Sequence, residues 1–189
     1  MNDKLIIINI DDKQQITVTL PSDGYYKTIS LSDKWTQYVV SNVLGSNVDN
    51  NNVEEVVLSN KFVLIRLKDS DDNNLYKVEP NFHLLNRLDD RKDIKNGIII
   101  TQKADLQKDG IHFYSRVFLP WIGVNEDPVC GSAHTLLTPY WCQKLGLSGQ
   151  QLIAKQCSQR SGIVGCRLNG NGIQLSASAV IVLKGQIFI

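Results

Sequence analysis

The chain has 189 residues, 42% of them hydrophobic, with 20 Lys and Arg against 19 Asp and Glu for a formal net charge of +1. That length holds one large domain, or one and a half small ones, with a core of ordinary size. The balanced charge and the lack of any Lys/Arg block argue against nucleic acid or an acidic membrane surface as partner, and no apolar run approaches the ~20 residues of a membrane span.

The opening run MNDKLIIINIDD is too short and too closely flanked by charge for a signal peptide. Cys130, Cys142, Cys157 and Cys166 form no CxxC pair and no metal-ligand spacing with histidine. No metal is expected, and the thiols are expected to be reduced in a cytoplasmic setting.

Taken in chain order, Leu5–Ile10 is apolar and β-branched, and Gln15–Leu20 alternates through Ile16, Val18 and Leu20. With the charged turn between them they predict a β-hairpin that Pro21 ends. Trp35, Tyr38, Val39 and Val43 recur at near-helical spacing, which predicts a helix over 33–44 capped by Ser32 and closed by Gly45. NVDNNN, residues 47–52, reads as a loop, Val53–Leu58 and Lys61–Leu67 as strands, and KDSDDNN as an exposed loop. Pro80 is expected at the first position of a short helix. Strands are expected over Gly97–Lys103, Ile111–Phe118, Leu152–Gln156, Ile163–Leu168, Gly172–Leu175, Ala179–Leu183 and Gln186–Ile189, with a helix from Gly131 to about Leu145. Strands dominate without a regular βαβ alternation, so the class is α+β.

The stretch NEDPVCGSAHTLLTPYW, residues 125–141, concentrates the chemistry. Pro128 biases Asp127 towards extended backbone, and the helix begins just after. The first amides of a helix lack internal partners and carry the positive end of its dipole, so Gly131, Ser132 and Ala133 form a seat for a carboxylate. With Asp127 as an acid and Cys130 as a thiol beside that seat, the parts for moving a proton next to a carboxylate are present. Each also has a plainer role: Asp127 as a loop acid, Cys130 as a small buried apolar residue, Gly131 and Ser132 as shapers of the helix start. His134 is expected to meet solvent or a backbone acceptor. The helix itself is apolar around most of its circumference, so it is expected to be buried, and Pro139 removes its hydrogen bond to Thr135.

Arg116-Val-Phe-Leu-Pro, Glu126-Asp-Pro-Val-Cys-Gly-Ser-Ala-His, Pro139-Tyr-Trp and Gln156-Cys-Ser-Gln-Arg-Ser-Gly follow one another in order. Together they closely resemble the phenazine-biosynthesis-like (PhzF-like) isomerase family. The resemblance implies a diaminopimelate-epimerase-like fold: two similar α+β lobes, each a bent sheet around a central helix, with the active site between the helix N-termini. It implies proton transfer on a small carboxylate substrate without cofactor. Asp127, Gly131 and Ser132 fall on substrate-pocket positions, and Cys130 on the place of the epimerases' acid–base cysteine. Ser161 and Ala177 stand where the family usually has glycine.

The family's Gly-Asn-Pro-Ala-Ala-Val motif and its general-base glutamate, both in the first lobe, have no counterpart here. The expected organisation is therefore remnant strands of the N-terminal lobe at 1–22 and one complete lobe at 23–189, its last strand returning towards the first lobe. Activity is expected to be impaired unless a second copy or a separate N-terminal-lobe chain completes the site. The competing expectation is an inactive truncated paralogue, or an incomplete gene model, serving at most as a binding or scaffold domain.

Overall fold

Alternating side chains decide the architecture, because almost every strand has to choose which of two layers it feeds. The computed structural model describes residues 6–10, 15–23, 26–70, 74–92, 94–178, 182–183 and 185–186. Its strands are β1 (Ile7–Ile10), β2 (Gln15–Pro21), β3 (Lys27–Ile29), β4 (Val53–Leu58), β5 (Phe62–Leu67), β6 (Gly97–Lys103), β7 (Phe113–Phe118), β8 (Gln151–Gln156), β9 (Gly162–Asn169) and β10 (Gly172–Ser178). They form one ten-stranded sheet in the order β1-β2-β10-β9-β8-β7-β6-β5-β4-β3. Pairing is antiparallel except at β5/β6 and β7/β8, which are parallel. β2 pairs with β10 along its length, from Pro21↔Gly172 to Gln15↔Ser178, so the first hairpin continues the sheet.

The helices are α1 (Lys34–Leu44), α2 (Asn74–Lys77), α3 (Phe82–Asn86), α4 (Leu106–Asp109) and α5 (His134–Leu145). α5 lies on one face against Phe62, Leu64, Ile99, Phe113 and Val117, while Val63, Ile65, Ile98 and Ile100 face a second core containing α1 and α3 residues. β5 and β6 are thus buried on both sides, which is why they read as continuous apolar runs. No helix among the described residues is long and apolar enough to cross a membrane.

Several local expectations need correction. Asp33, not Ser32, caps α1 by accepting the Thr36 amide at 3.0 Å, while the Ser32 hydroxyl pairs with Ser30. Asp33 stands three residues before the amide it caps, and its carboxylate adds negative charge at the helix N-terminus. Pro80 stands outside α3, whose cap is Asn81. Asn50–Asn52, expected as loop, closes into a single 3-10 turn capped by Asp49. α5 begins at His134, after a turn over residues 131–133. Val182 and Leu183 are exposed and belong to no strand. The rest of the strand expected over Ala179–Leu183, and most of that over Gln186–Ile189, lies outside the described residues, as does the turn at 11–14.

α5 is buried on nearly all sides, with Tyr140 and Trp141 fully enclosed. Trp141 stacks on Phe113 at 5.4 Å between ring centroids, and its indole N–H donates to the Thr101 hydroxyl at 2.9 Å. Large aromatics contribute most to a core when their polar edge also finds a partner. This packing fixes the start of α5, which carries the motif.

Candidate active site

The Glu-Asp-Pro lead-in comes off β7. Asp127 donates its amide to the Val117 carbonyl at 3.0 Å. Glu126 meets Arg116 in a two-pronged ion pair, Nε to Oε1 at 2.8 Å and a terminal nitrogen to Oε2 at 3.1 Å. Arg116 also donates to the carbonyls of Val78, at 2.7 Å, and Leu75, at 3.2 Å. Glu126 is therefore committed to holding the loop on the sheet. The carboxylate of the half-buried Asp127 has no ion pair or hydrogen bond among the described residues, so of the two adjacent acids it is the uncommitted one.

From Asp127 to Cys130 the inward-facing backbone is held by side chains. Gln156, 1% exposed at the end of β8, donates its Nε2 to the Asp127 carbonyl at 2.5 Å and accepts the Cys130 amide on Oε1 at 2.8 Å. The Ser158 hydroxyl donates to the Pro128 carbonyl at 2.7 Å and accepts the Ser161 amide at 3.0 Å. His134 donates Nδ1–H to the Cys130 carbonyl at 2.8 Å, which fixes its tautomer. Its Nε2 is buried without a partner among the described residues, and burial lowers its pKa, so the ring stays neutral. These bonds give the Gln-x-Ser segment its role: it buckles the Asp-Pro-Val-Cys loop to the sheet. Sequence reasoning did not assign Gln156, Ser158 or Arg116 any contact, although all three stand in the quoted motif.

Two backbone details explain small residues nearby. A Cβ on Gly162 would lie 2.5 Å from Val129 Cγ2, so the loop packs where only glycine fits. Ser161 has φ +59°, the left-handed region that favours glycine, which accounts for the family's usual residue there. Its hydroxyl donates to the Gln156 carbonyl at 3.0 Å and offsets part of that strain.

The helix start holds the remaining expected residues. Gly131 and Ser132 are exposed and Ala133 is buried. Their carbonyls receive the amides of His134, Thr135, Leu136 and Leu137, while their own amides have no backbone acceptor among the described residues. Cys130 is 4% exposed and belongs to the α5 core, with its sulfur 3.3 Å from the Ser132 hydroxyl. Burial pushes its thiol up. The Ser132 hydroxyl and the Ala133 and Ser132 amides pull the other way, and the nearby Asp127 charge adds to the rise. At neutral pH Cys130 is thus a protonated thiol rather than a nucleophilic thiolate. All four cysteines are free and buried. Among the described residues no group of three His, Cys, Asp or Glu side chains is arranged to hold a metal ion.

Residues 7–185 match the family described as phenazine biosynthesis-like protein. A phenazine biosynthesis-like domain-containing protein of Pongo abelii is 35% identical over 156 residues, covering 79% of this chain and 53% of the relative. An uncharacterized isomerase of Pseudomonas aeruginosa is 46% identical over 108 residues, covering 57% of this chain and 37% of the relative. The crystal structure of a phenazine biosynthesis protein PhzF family member from Enterococcus faecalis superposes with TM-score 0.72 at 26% identity, covering 96% of this chain and 60% of that one. The chain spans about half the length of the curated relatives it matches. With its sheet wrapped on α5, and with the Glu-Asp-Pro loop, Gly-Ser helix start and Gln-x-Ser buckle in place, the chain belongs to the phenazine biosynthesis-like protein family.

Proposed function

We propose that this chain supplies one half of a cofactor-independent proton-transfer site for a small carboxylate substrate. The observation that carries the reading is an uncommitted Asp127 close to the start of a buried helix where the amides of Gly131, Ser132 and Ala133 have no backbone acceptor among the described residues and those of Ser132 and Ala133 meet only the Cys130 sulfur. A substrate carboxylate seats on those amides and on the Ser132 hydroxyl. Asp127 takes or returns the proton at the neighbouring carbon, and Cys130, kept protonated by burial, acts as a thiol donor. A seated carboxylate draws the Ser132 and Ala133 amides away from the sulfur and so keeps the thiol protonated. The description of the Pseudomonas aeruginosa relative as an uncharacterized isomerase agrees with this class of chemistry.

The opposite acid or base comes from a second lobe that the described residues do not contain, and a separate chain carrying the first lobe or a second copy of this one can supply it. β1 stands at the end of the sheet order, and Ile6, just before it, and Ile8, within it, are 56% and 62% exposed, which suits burial against such a partner. Without it the chain is expected to be impaired, because the members of one proton-transfer constellation act as a unit.

The test is deuterium uptake from solvent into candidate carbon acids, with this chain alone and with a first-lobe chain of the family added. Uptake that needs Asp127 and grows on mixing is the expected result. No uptake in either case, while small carboxylates still bind, sinks proton transfer and leaves a binding or scaffold domain. Sedimentation as a monomer at micromolar concentration, alone and in the mixture, removes the second body.

A further inference from the structure

We infer that Gln156 is the positioning residue of this site: one carboxamide, bonded to the Asp127 carbonyl and the Cys130 amide, sets how far the Asp127 carboxylate stands from the Cys130 thiol. The inference rests on the proton-transfer reading above for its functional meaning, but its geometry stands on its own.

The two bonds, 2.5 Å from Nε2 and 2.8 Å to Oε1, come from a single planar group. A planar amide offers one donor side and one acceptor side at a fixed spacing, so residues 127 and 130 cannot drift apart without breaking a bond. The group is 1% exposed, so neither bond is exchanged for water without cost. The Gln156 backbone carbonyl is itself held by the Ser161 hydroxyl at 3.0 Å, and its strand pairs Gln156 with Gly162 and with Ser115. The clamp is thus anchored on the sheet and not on the loop it grips. His134 fixes the Cys130 carbonyl from the other side, so the thiol-bearing residue is gripped at both its amide and its carbonyl. Groups acting on the Cys130 sulfur are the Ser132 hydroxyl, the Ser132 and Ala133 amides and Asp127, and only Asp127 carries charge. Removing that charge should therefore be felt at the sulfur for as long as the clamp holds the pair together.

The experiment is a double-mutant cycle on the full chain, read as the rate of Cys130 alkylation by iodoacetamide at pH 8 from peptide-resolved mass spectrometry. Cys142, Cys157 and Cys166 serve as internal references. Asp127→Asn should speed Cys130 labelling at least about threefold in the native background, within the usual range of coupling between neighbouring groups of one network. In the Gln156→Met background the same change should have almost no effect. If Gln156→Met does not fold, Gln156→Glu replaces it. Glu keeps the acceptor for the Cys130 amide, loses the donor to the Asp127 carbonyl at this pH, and should at least halve the Asp127 effect. An Asp127 effect of equal size with and without the clamp, or none in the native background, overturns the inference. Labelling reads the pair whether or not a substrate is turned over, so a failed clamp and a failed proton-transfer reading give different results.

Discussion

The backbone amide of Asp23 donates to the carbonyl of Thr135 at 2.9 Å. Pro139 is the reason that carbonyl is available, since a proline four residues on has no N–H to offer it. α5 nonetheless runs unbroken across Pro139, and the bond its interior lacks is made by the segment leaving β2. The first turn of the site helix is thereby tied to the end of the sheet that carries the β1–β2 hairpin.

Pro139→Ala supplies the missing donor and sets up a competition for that carbonyl. Weakening one backbone hydrogen bond by about 1 kcal/mol corresponds to roughly fivefold faster amide exchange. Asp23 should exchange faster by that order, while amides in the middle of α5 exchange more slowly. Unchanged exchange at Asp23 would mean that Thr135 accepts both donors at once and that the tie does not depend on the proline.

Gly131→Ala separates anion binding from folding. A Cβ at Gly131 meets only Leu175 Cδ1, at 3.7 Å, an ordinary contact, so the fold should accept it with a melting temperature within a few degrees of the parent. The same methyl adds bulk at the residue whose amide opens the proposed carboxylate seat. Binding of small carboxylates, followed by amide chemical shifts of Gly131 to Ala133, should weaken about tenfold or more, a loss of about 1.4 kcal/mol. Equal affinity in both proteins would place the carboxylate elsewhere.

How much of this was legible beforehand depended on how much each residue's neighbours were also its sequence neighbours. The apolar run of Gly97–Lys103 records burial on both faces, the alternation of Ile16, Val18 and Leu20 an extended strand of partly buried residues, and both strands fall where the pattern places them. β3 has three residues with a mostly exposed face, and α4 has four, so neither leaves a period to read. At the site, the residue types pointed to Asp127, Cys130 and the helix amides, but not to the ordering of Glu126 over Asp127. That ordering comes from Arg116, ten residues away along the chain, and from carbonyls about forty residues off. Gln156 likewise reaches residues 26 and 29 positions away. A motif can mark such residues, but only the packed sheet shows what they hold. The burial of Cys130 was one of the two readings its residue type allowed, and the fold selects it.

His134 makes stability depend on pH near neutrality. Burial lowers its pKa from the ordinary 6.5, so the unfolded chain takes up a proton before the folded one does. Its contribution is complete above 6.5 and is lost as pH falls from there towards the folded value. His134→Asn keeps a side-chain donor for the Cys130 carbonyl and removes the titration. It should cost about 1–3 kcal/mol at pH 7.5 through lost packing against Phe113. Between about pH 7.5 and 5.5, urea midpoints should fall more steeply in the parent than in the variant, where His112, whose pKa burial also lowers, still titrates. Parallel slopes would mean that the buried ring does not govern this window.

Glu55 governs a separate, more acidic window. Burial alone would raise its carboxyl, but hydrogen bonds from Lys144 and Tyr140, with the charges of Lys144 and Arg66, outweigh that and hold it below the ordinary 4.5. The geometry agrees: Glu55 Oε1 accepts the Tyr140 hydroxyl at 2.5 Å and meets Lys144 Nζ at 2.5 Å, both from the last turns of α5. A carboxyl with a depressed folded pKa stabilises the protein above its unfolded value and stops doing so as pH falls through the folded one. Glu55→Gln keeps a hydrogen-bond acceptor for Tyr140 without the charge. At neutral pH the variant should therefore melt lower than the parent, and the gap should close as the medium is taken below 4.5. The Lys144 side chain of the pair is 35% exposed and that of Glu55 16%, so raising salt should narrow the neutral-pH gap as well. A gap that persists unchanged at acid pH would assign the effect to packing around Tyr140 and not to the ion pair.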